Sequence, residues 1–581
     1  CRTDSFQEYK LDKFWLGFMR YLTQTVLTPS VHLLCATGLL CANAWAQNIP
    51  DAGALLRQTE QGLKLQTPPA AVQRREPPPP AMAKLGAATV TVQSFVFAGN
   101  TLVGSAALTS ALSPYLNRAL NFDELQAAAA AVAQTYRDAG WLVTAYLPKQ
   151  EIQNGIVTIQ IIEAVFGKVS VQEPLPQRVA AQRLIQIFET QQSKGQSLQA
   201  QRVDRALLLL DDLPGVIVSG NLQAGESHSE TDMVLNVIDE PLLKGDVSSD
   251  NNGSLSTGIT RASLNANLNS PFKFGDQLSV NAIRTRGSEY TRVAYSVPLG
   301  SDGWRAQVRG SGLNYHLIGD LAATGSHGHA NTTGAELSYP LLRSQTSNLN
   351  AILGFDIKDY DNYNTSGVTS RYTTRASSAA LSGNHMDAMG GTNQYGLTWV
   401  GGNLESSVGS QVEGHYQRAT LNLSRQHPLS SDTHVWLAYA QQVANKNLDT
   451  SEKLYLEGVS GVRAYAGGAT RLGGTQGQTF TAELRHNLDI NWRLNGFYDY
   501  GKARVNRNNF QADGVTVLSN INDYQIKGYG FSLGWQSVKG IDLKATVAKR
   551  IGLNPNATAQ GMDQDGTYKN PRYWLSATVA F

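Results

Sequence analysis

From about residue 245 to the end of the chain, apolar and polar positions alternate with period two. Tyr529, Phe531, Leu533 and Trp535 interleave with Gly530, Ser532 and Gly534. Phe480, Ala482 and Leu484 interleave with Thr481, Glu483 and Arg485, and Tyr573, Leu575, Ala577, Val579 and Phe581 with Trp574, Ser576, Thr578 and Ala580. Successive side chains of a strand point to opposite faces, so each segment has one apolar face and one small or polar face. In a soluble sandwich the apolar faces meet in a core. In an outer-membrane barrel they face lipid and the polar faces line a lumen.

The first 241 residues have another texture. Residues 47–66 read as a helix, with Asp51 able to cap it and Leu55, Leu56, Thr59 and Leu63 as a weak apolar stripe. Residues 67–87 are proline-rich and predict an extended linker. Within 88–166, Val90–Phe97 alternates like a strand, and Asn121 with Glu124 forms a capping box opening an alanine-rich helix that stops at Gly140. Trp141–Leu147 and the Val157, Ile159, Ile161 series then predict two strands. Residues 167–241 repeat that order: a strand at Val169–Val171, helices near 179–192 and 198–210, strands at Val216–Ser219 and Met233–Ile238. Two adjacent α+β modules of about 75–80 residues each suggest an internal repeat.

Composition sharpens the choice for 242–581. Charged residues are 16% of the 581, against about 25% in a typical soluble protein. Yet hydrophobic residues are only 41%, with 54 glycines and many Ser, Thr, Asn and Gln making up the difference. The formal net charge of +2 speaks against a polybasic nucleic-acid coat. The stretch 31–46 is apolar, follows Arg20 and ends in small residues, and so reads as a secretory signal with cleavage after Ala46. A start at Met19 gives that signal ordinary length, leaving 1–18 as an over-extended start. The three cysteines, Cys1, Cys35 and Cys41, all lie within this leader, which suits an oxidising compartment. Export and scarcity of charge favour the barrel. About 16 strands leave roughly 21 residues for each strand and its connection, and closure is required because an open edge in lipid leaves backbone groups unpaired.

One constellation carries chemistry. On the strand around Asp499, Leu494, Gly496, Tyr498 and Tyr500 share one face, and Arg493, Asn495, Phe497 and Asp499 the other. The tyrosines suit lipid, so Asp499 points into the lumen, where a bidentate arginine is its best partner. Arg463 sits in a glycine-flanked segment able to reach inward. Other motifs carry less. Gly530-Phe531-Ser532-Leu533-Gly534 matches G-x-S-x-G but lies in an alternating strand with no helix after it. Asp563-Gln564-Asp565-Gly566 is a fragment of a calcium loop without the later ligands, read as an extracellular turn. No phosphate loop, HExxH or metal-spaced histidine set occurs, so no catalytic residue, metal or cofactor is assigned.

Signal, helix, proline-rich linker, two α+β repeats and a barrel ending in Phe581 together resemble a two-partner secretion transporter of the haemolysin-activator and filamentous-haemagglutinin-transporter type. The family's Val-Arg-Gly-Tyr motif reads here as Val462-Arg463-Ala464-Tyr465, and its aromatic-x-Asp strand motif as Phe497-Tyr498-Asp499-Tyr500-Gly501. Asp212-Leu213-Pro214-Gly215, and Asp250-Asn251-Asn252-Gly253 at the barrel entry, look like further landmarks. The resemblance implies a 16-stranded transmembrane β-barrel (242–581) preceded by two periplasmic POTRA domains (88–166 and 167–241) and an N-terminal plug helix. It implies an outer-membrane pore exporting an exoprotein with an N-terminal secretion domain, of the haemolysin, adhesin or contact-dependent toxin class. Arg463 and Asp499 then form an ion pair locking an inward loop. Tyr573, Leu575 and Phe581 form the insertion signal read by barrel-assembly machinery, and the chain works as a monomer among outer-membrane lipids, without nucleic acid. Ala464 replaces the family's glycine, and a positive φ there would strain it. Two alternatives stand beside this reading: a barrel-assembly factor, which usually has more POTRA repeats and no tethered helix, and a passive porin or receptor, which needs no modules.

Overall fold

The computed structural model describes residues 49–64 and 89–581, apart from 228, 409–411, 469–471, 511–515, 519 and 559. The leader expected at 1–46 and the linker expected at 67–87 lie outside the described residues. The N-terminal helix α1 is Ala52–Lys64, with Asp51 Oδ1 accepting the Ala54 N–H at 2.7 Å as its cap.

The first module contains β1 (Val90–Val92), β2 (Ser94–Ala98), α2 (Ser105–Ala111), β3 (Arg118–Leu120), α3 (Phe122–Asp138), β4 (Val143–Tyr146) and β5 (Ile156–Glu163). The capping box forms: Glu124 N–H donates to Asn121 Oδ1 at 2.8 Å and Asn121 N–H to Glu124 Oε2 at 2.9 Å. Leu125, Ala128, Ala129, Val132 and Tyr136 recur at helical spacing and are buried; Leu125 packs with Val157 of β5 and the other four with Ile159 and Ile161. The single strand expected at Val90–Phe97 is two. β1 pairs with β3, and β2 pairs parallel with β5. The break falls at Gln93, whose N–H donates to Gly155 O at 2.8 Å. Alternation reports which face a residue takes, not which neighbour receives its hydrogen bonds.

The second module contains β6 (Val165–Val171), α4 (Ala181–Gln191), α5 (Ala200–Asp211), β7 (Val216–Ala224) and β8 (Glu230–Asp239). Its first strand begins at Val165, with only Ala164 between it and the end of β5, and earlier than expected. Both modules pair alike: the first sheet strand lies parallel to the last, and the middle one antiparallel to it. The repeat is therefore topological, with no shared sequence needed.

Sixteen antiparallel strands then close a barrel. They are β9 (Leu243–Asp250), β10 (Arg261–Asn269), β11 (Gln277–Arg284), β12 (Ser288–Leu299), β13 (Trp304–His316), β14 (His327–Arg343), β15 (Ser347–Asn364) and β16 (Gly367–Met386). The second half is β17 (Thr392–Val408), β18 (Gly414–Pro428), β19 (Thr433–Ala444), β20 (Gln476–Asn487), β21 (Trp492–Arg504), β22 (Asp523–Gln536), β23 (Ile541–Arg550) and β24 (Arg572–Ala580). β24 closes on β9, with Ser576 opposite Asp250 and Ala580 opposite Asp246. The large apolar side chains face out: Leu353, Phe355, Leu397, Phe531, Leu533, Tyr573 and Leu575 are all exposed. This inversion of a soluble core is what a lipid surround requires. Of Asp250-Asn251-Asn252-Gly253, the landmark near the start of the barrel region, Asp250 is the last residue of β9 and the other three open the connection that follows.

The second module sits against the short turns at one end. The Arg343 fork reaches both Asp212 oxygens at 2.8 Å, and Arg205 Nη1 donates to Pro340 O at 3.0 Å. The long connections lie at the other end. Helix α1 lies inside the barrel: Ala52, Leu55 and Leu56 pack with the inward-facing Tyr290, Leu313, Tyr360, Tyr372 and Leu404.

Candidate functional site: the lumen and its inward loop

Parity on β21 is as the alternation predicts. Asp499 is 0% exposed and Phe497 is buried, whereas Tyr498 between them is 36% exposed. The segment joining β19 to β20 folds back into the lumen. Its tip is a tight structure: Val462 N–H donates to Leu456 O at 2.7 Å and Gly458 N–H to Tyr465 O at 3.0 Å. Gly458, at φ +96°, supplies a conformation that other residues rarely adopt.

Arg463 meets Asp499 in fork geometry. Nε lies 2.9 Å from Oδ2 and Nη2 lies 2.7 Å from Oδ1. The Arg463 backbone N–H adds a third bond to Oδ2 at 3.1 Å, and Thr481 Oγ1 donates to Oδ1 at 3.1 Å. The remaining guanidinium nitrogen, Nη1, donates to Glu483 Oε1 at 2.6 Å. The guanidinium plane rests 3.5 Å from the Phe497 ring centroid, so cation and ring exclude water from the pair. The other motif residues pack around it. A Cβ on Gly501 would come within 3.1 Å of Val462 Cγ2, so the bare backbone at 501 lets the loop tip approach the wall. Tyr465 is fully buried.

Ala464 is not strained. It is absent from the residues with positive φ, and its Cβ lies where a side chain on Gly528 would be, 2.5 Å away. The methyl group is accommodated by a glycine on the facing strand. The turn expected at Asp563-Gln564-Asp565-Gly566 forms, with Gly566 N–H donating to Asp563 O at 2.9 Å. Asp563 is 0% exposed. It receives Arg550 Nη1 at 2.7 Å and Asn554 Nδ2 at 2.8 Å, with Arg550 Nη2 also bonded to it. Arg550 in turn donates to Ala464 O at 3.1 Å and stacks 4.4 Å from the Tyr465 ring centroid. Trp574 Nε1 donates to Arg463 O at 2.8 Å. Sequence reasoning missed this second support. Its only signal was an arginine and an aspartate within one strand-loop unit.

A third anchor, also missed, holds the shank of the same loop. Glu452 is buried, with Arg418 Nε of β18 at 2.6 Å and Lys358 Nζ of β15 at 3.3 Å. Burial alone would raise its pKa; Lys358, Arg418 and Arg57 overcome that and hold the carboxyl well below the usual range. Arg57 of α1 donates through Nε to Lys453 O at 3.1 Å, and Thr450 Oγ1 donates to Asp51 at 2.9 Å. The loop shank thus lies between the helix and the wall. Asp51 behaves oppositely to Glu452: burial, then the neighbouring Asp449, raise it to about 6.

Tyr573, Leu575 and Phe581, expected to form the insertion signal, are all exposed on the outer surface. Ser532 of the G-x-S-x-G match points inward and bonds Thr546 Oγ1 at 2.9 Å within paired strands.

Comparison with known proteins agrees with this architecture. Residues 229–520 match the family described as haemolysin secretion/activation protein ShlB/FhaC/HecB, and residues 90–164 match the ShlB-type POTRA domain. The heme/hemopexin transporter protein HuxB of Haemophilus influenzae is 24% identical over 566 residues, covering 94% of this chain and 97% of that protein. The outer membrane transporter CdiB of Dickeya dadantii is 23% identical over 395 residues, covering 64% of this chain and 69% of its own. Among solved structures, CdiB from Escherichia coli superposes with a TM-score of 0.68 at 18% identity, covering 92% of this chain and 99% of that one. BamA from Haemophilus ducreyi lacking POTRA domains 1–3 follows with a TM-score of 0.52 at 14% identity, covering 85% of this chain and all of that one. With a family match over half of its length and a relative aligned almost end to end, the chain belongs to the haemolysin secretion/activation family, the outer-membrane transporters of two-partner secretion, its modules in the periplasm.

Proposed function

We propose that the barrel rests closed, with the inward loop and helix α1 filling the lumen, and that the Arg463–Asp499 pair sets the loop in a transport-competent position. The carrying observation is the buried fork of Arg463 on Asp499, backed by Glu483 on the adjacent strand. A guanidinium with two carboxylates, a ring face and a backbone tie has one well-defined pose. The exoprotein enters from the periplasmic modules, whose open sheet edges can take an extended segment by backbone pairing. It displaces α1 and threads the lumen, and folding outside makes passage directional. Tyr573, Leu575 and Phe581 serve as the insertion signal, and the barrel works as a monomer.

The test is a secretion assay on Arg463→Ala, Asp499→Ala and the double variant, with heat-modifiable gel migration as the check on folding. Both singles should depress secretion while the barrel stays folded. Arg463→Ala should be the worse, because it leaves buried Asp499 without a cation and Glu483 with Arg485 alone, at 2.8 Å; breaking a buried pair costs about 3–5 kcal/mol. The double variant should be no worse than Arg463→Ala. Strictly additive effects would mean that the two residues act independently.

A further inference from the structure

The outer surface of β21–β24 is banded. It is apolar from Trp492 to Tyr500 on β21, from Tyr529 to Trp535 on β22 and from Ile541 to Val547 on β23. Nine residues of tilted strand rise roughly 20 Å, close to the height of the apolar band of such barrels. Trp492 and Trp535, with ring centroids 6.5 Å apart, mark its periplasmic edge. Tyr500, Tyr529 and Tyr573 mark the extracellular edge, since amphipathic rings sit at the headgroup level. The next outward residue beyond that edge is a lysine on each of three consecutive strands: Lys502, Lys527 and Lys549.

The register places the three in a diagonal row. Lys502 faces Gln525, two residues from Lys527, and Lys549 faces Tyr529, two residues from Lys527 on the other side. Diagonal neighbours lie ~7–8 Å apart. Lys502 and Lys549 are exposed and Lys527 half-buried, the Lys527 ammonium lying 5.9 Å from the Tyr500 ring centroid. Among the described residues none of the three is paired with a carboxylate, and the nearest acidic residue along the row, Asp523, is held by Arg504 at 3.0 Å. The extracellular rim of β15–β17 differs: there Arg371 is bonded to Asp361, and Arg375 lies 2.7 Å from Glu405. One side of the barrel has neutralised its outward cations, and the other has left three together at the plane where lipid phosphates lie.

We propose that Lys502, Lys527 and Lys549 form a binding site for the phosphate groups of a phosphorylated lipid headgroup in the outer leaflet. Three ammonium groups spaced along a row suit a headgroup with more than one phosphate, and the tyrosine edge beneath suits its acyl-proximal sugars or glycerol. Such a lipid would pin the seam-side wall, which carries Asp499 and Arg550, at a defined height in the membrane.

The test titrates the purified full chain with bis-phosphorylated lipid A and follows bound species by native mass spectrometry. Each basic residue at a membrane surface is worth roughly fivefold in affinity, so Lys502→Gln/Lys527→Gln/Lys549→Gln should bind about a hundredfold more weakly. The triple Lys→Arg variant should bind nearly as the parent does, and dephosphorylated lipid A nearly as poorly as the Gln variant. Heat-modifiable migration should be unchanged in both variants, since the side chains face outward. Equal lipid A affinity of parent and Gln variant would overturn the proposal. So would full competition by inorganic phosphate at the lipid's own concentration, which would make the site one for free phosphate. Loss of exoprotein secretion in the Gln variant with lipid affinity intact would also overturn it, in favour of a protein partner.

Discussion

The inward loop is anchored at its tip and at its shank by clusters of opposite polarity. At the tip one cation, Arg463, is shared by two carboxylates on neighbouring strands, β20 and β21, and covered by Phe497. At the shank one carboxylate, Glu452, is shared by cations of β15 and β18, with Arg57 of the helix nearby. The tip depends on the barrel wall and on Asp563 through Arg550. The shank depends also on a helix that enters the lumen from the chain's N-terminal side. The first is a fixed latch on the strand that bears the family motif. The second couples the loop to the helix, so if the helix leaves the lumen as proposed, one anchor is weakened and the other stays in place.

The largest effect that would break this distinction is at Glu452. Glu452→Ala leaves Lys358, Arg418 and Arg57 buried together without their carboxylate, a loss of about 3–5 kcal/mol. It should raise the ion conductance of the reconstituted barrel several-fold, as should removal of residues 49–64, by freeing helix and shank together. If the shank anchor is independent of the helix, Glu452→Ala will leave conductance at the parent level while truncation raises it.

A smaller effect comes from Asp51. Its pKa is raised to about 6 when the helix is docked and returns to the ordinary carboxylate range when the helix is released. The docked state therefore holds the proton more tightly. Docking is strongest below the ordinary range and weakens as pH rises to about 6, by at most about 3 kcal/mol. Thr450, Asp449 and Lys453 face the same carboxylate. Conductance should fall on acidification from pH 7.5 to 5, and Asp51→Asn should remove most of that dependence. Glu452 limits the window, since it must stay ionised. A pH response identical in parent and Asp51→Asn would place the titrating group elsewhere.

The smallest effect sharpens the description of the tip. Gly528→Ala would put a methyl group 2.5 Å from Ala464 Cβ. Overpacking of this kind costs about 1–3 kcal/mol, which should lower secretion modestly. Adding Ala464→Gly should restore it, while Ala464→Gly alone should be nearly silent. Failure of the pair to rescue would mean that the two positions do not meet.

Period-two alternation determined more of this protein than any motif did. It set which residues of β21 face lipid and which face the lumen, because a strand leaves a side chain only two directions and the surround selects one. From that parity Asp499 was legible as a lumen carboxylate, and its need for a cation pointed to Arg463. The capping box at Asn121 and Glu124 was equally local, since both partners lie within one turn. What the alternation did not contain was decided by tertiary structure. Glu452 meets Lys358 and Arg418 across the lumen, Arg550 at the end of β23 meets Ala464 in the inward loop, and Ala464 fits because position 528, on a strand far along the chain, is glycine. Loop segments carry no period, so their partners are chosen by closure of the barrel, which brings residues together whatever their separation in sequence.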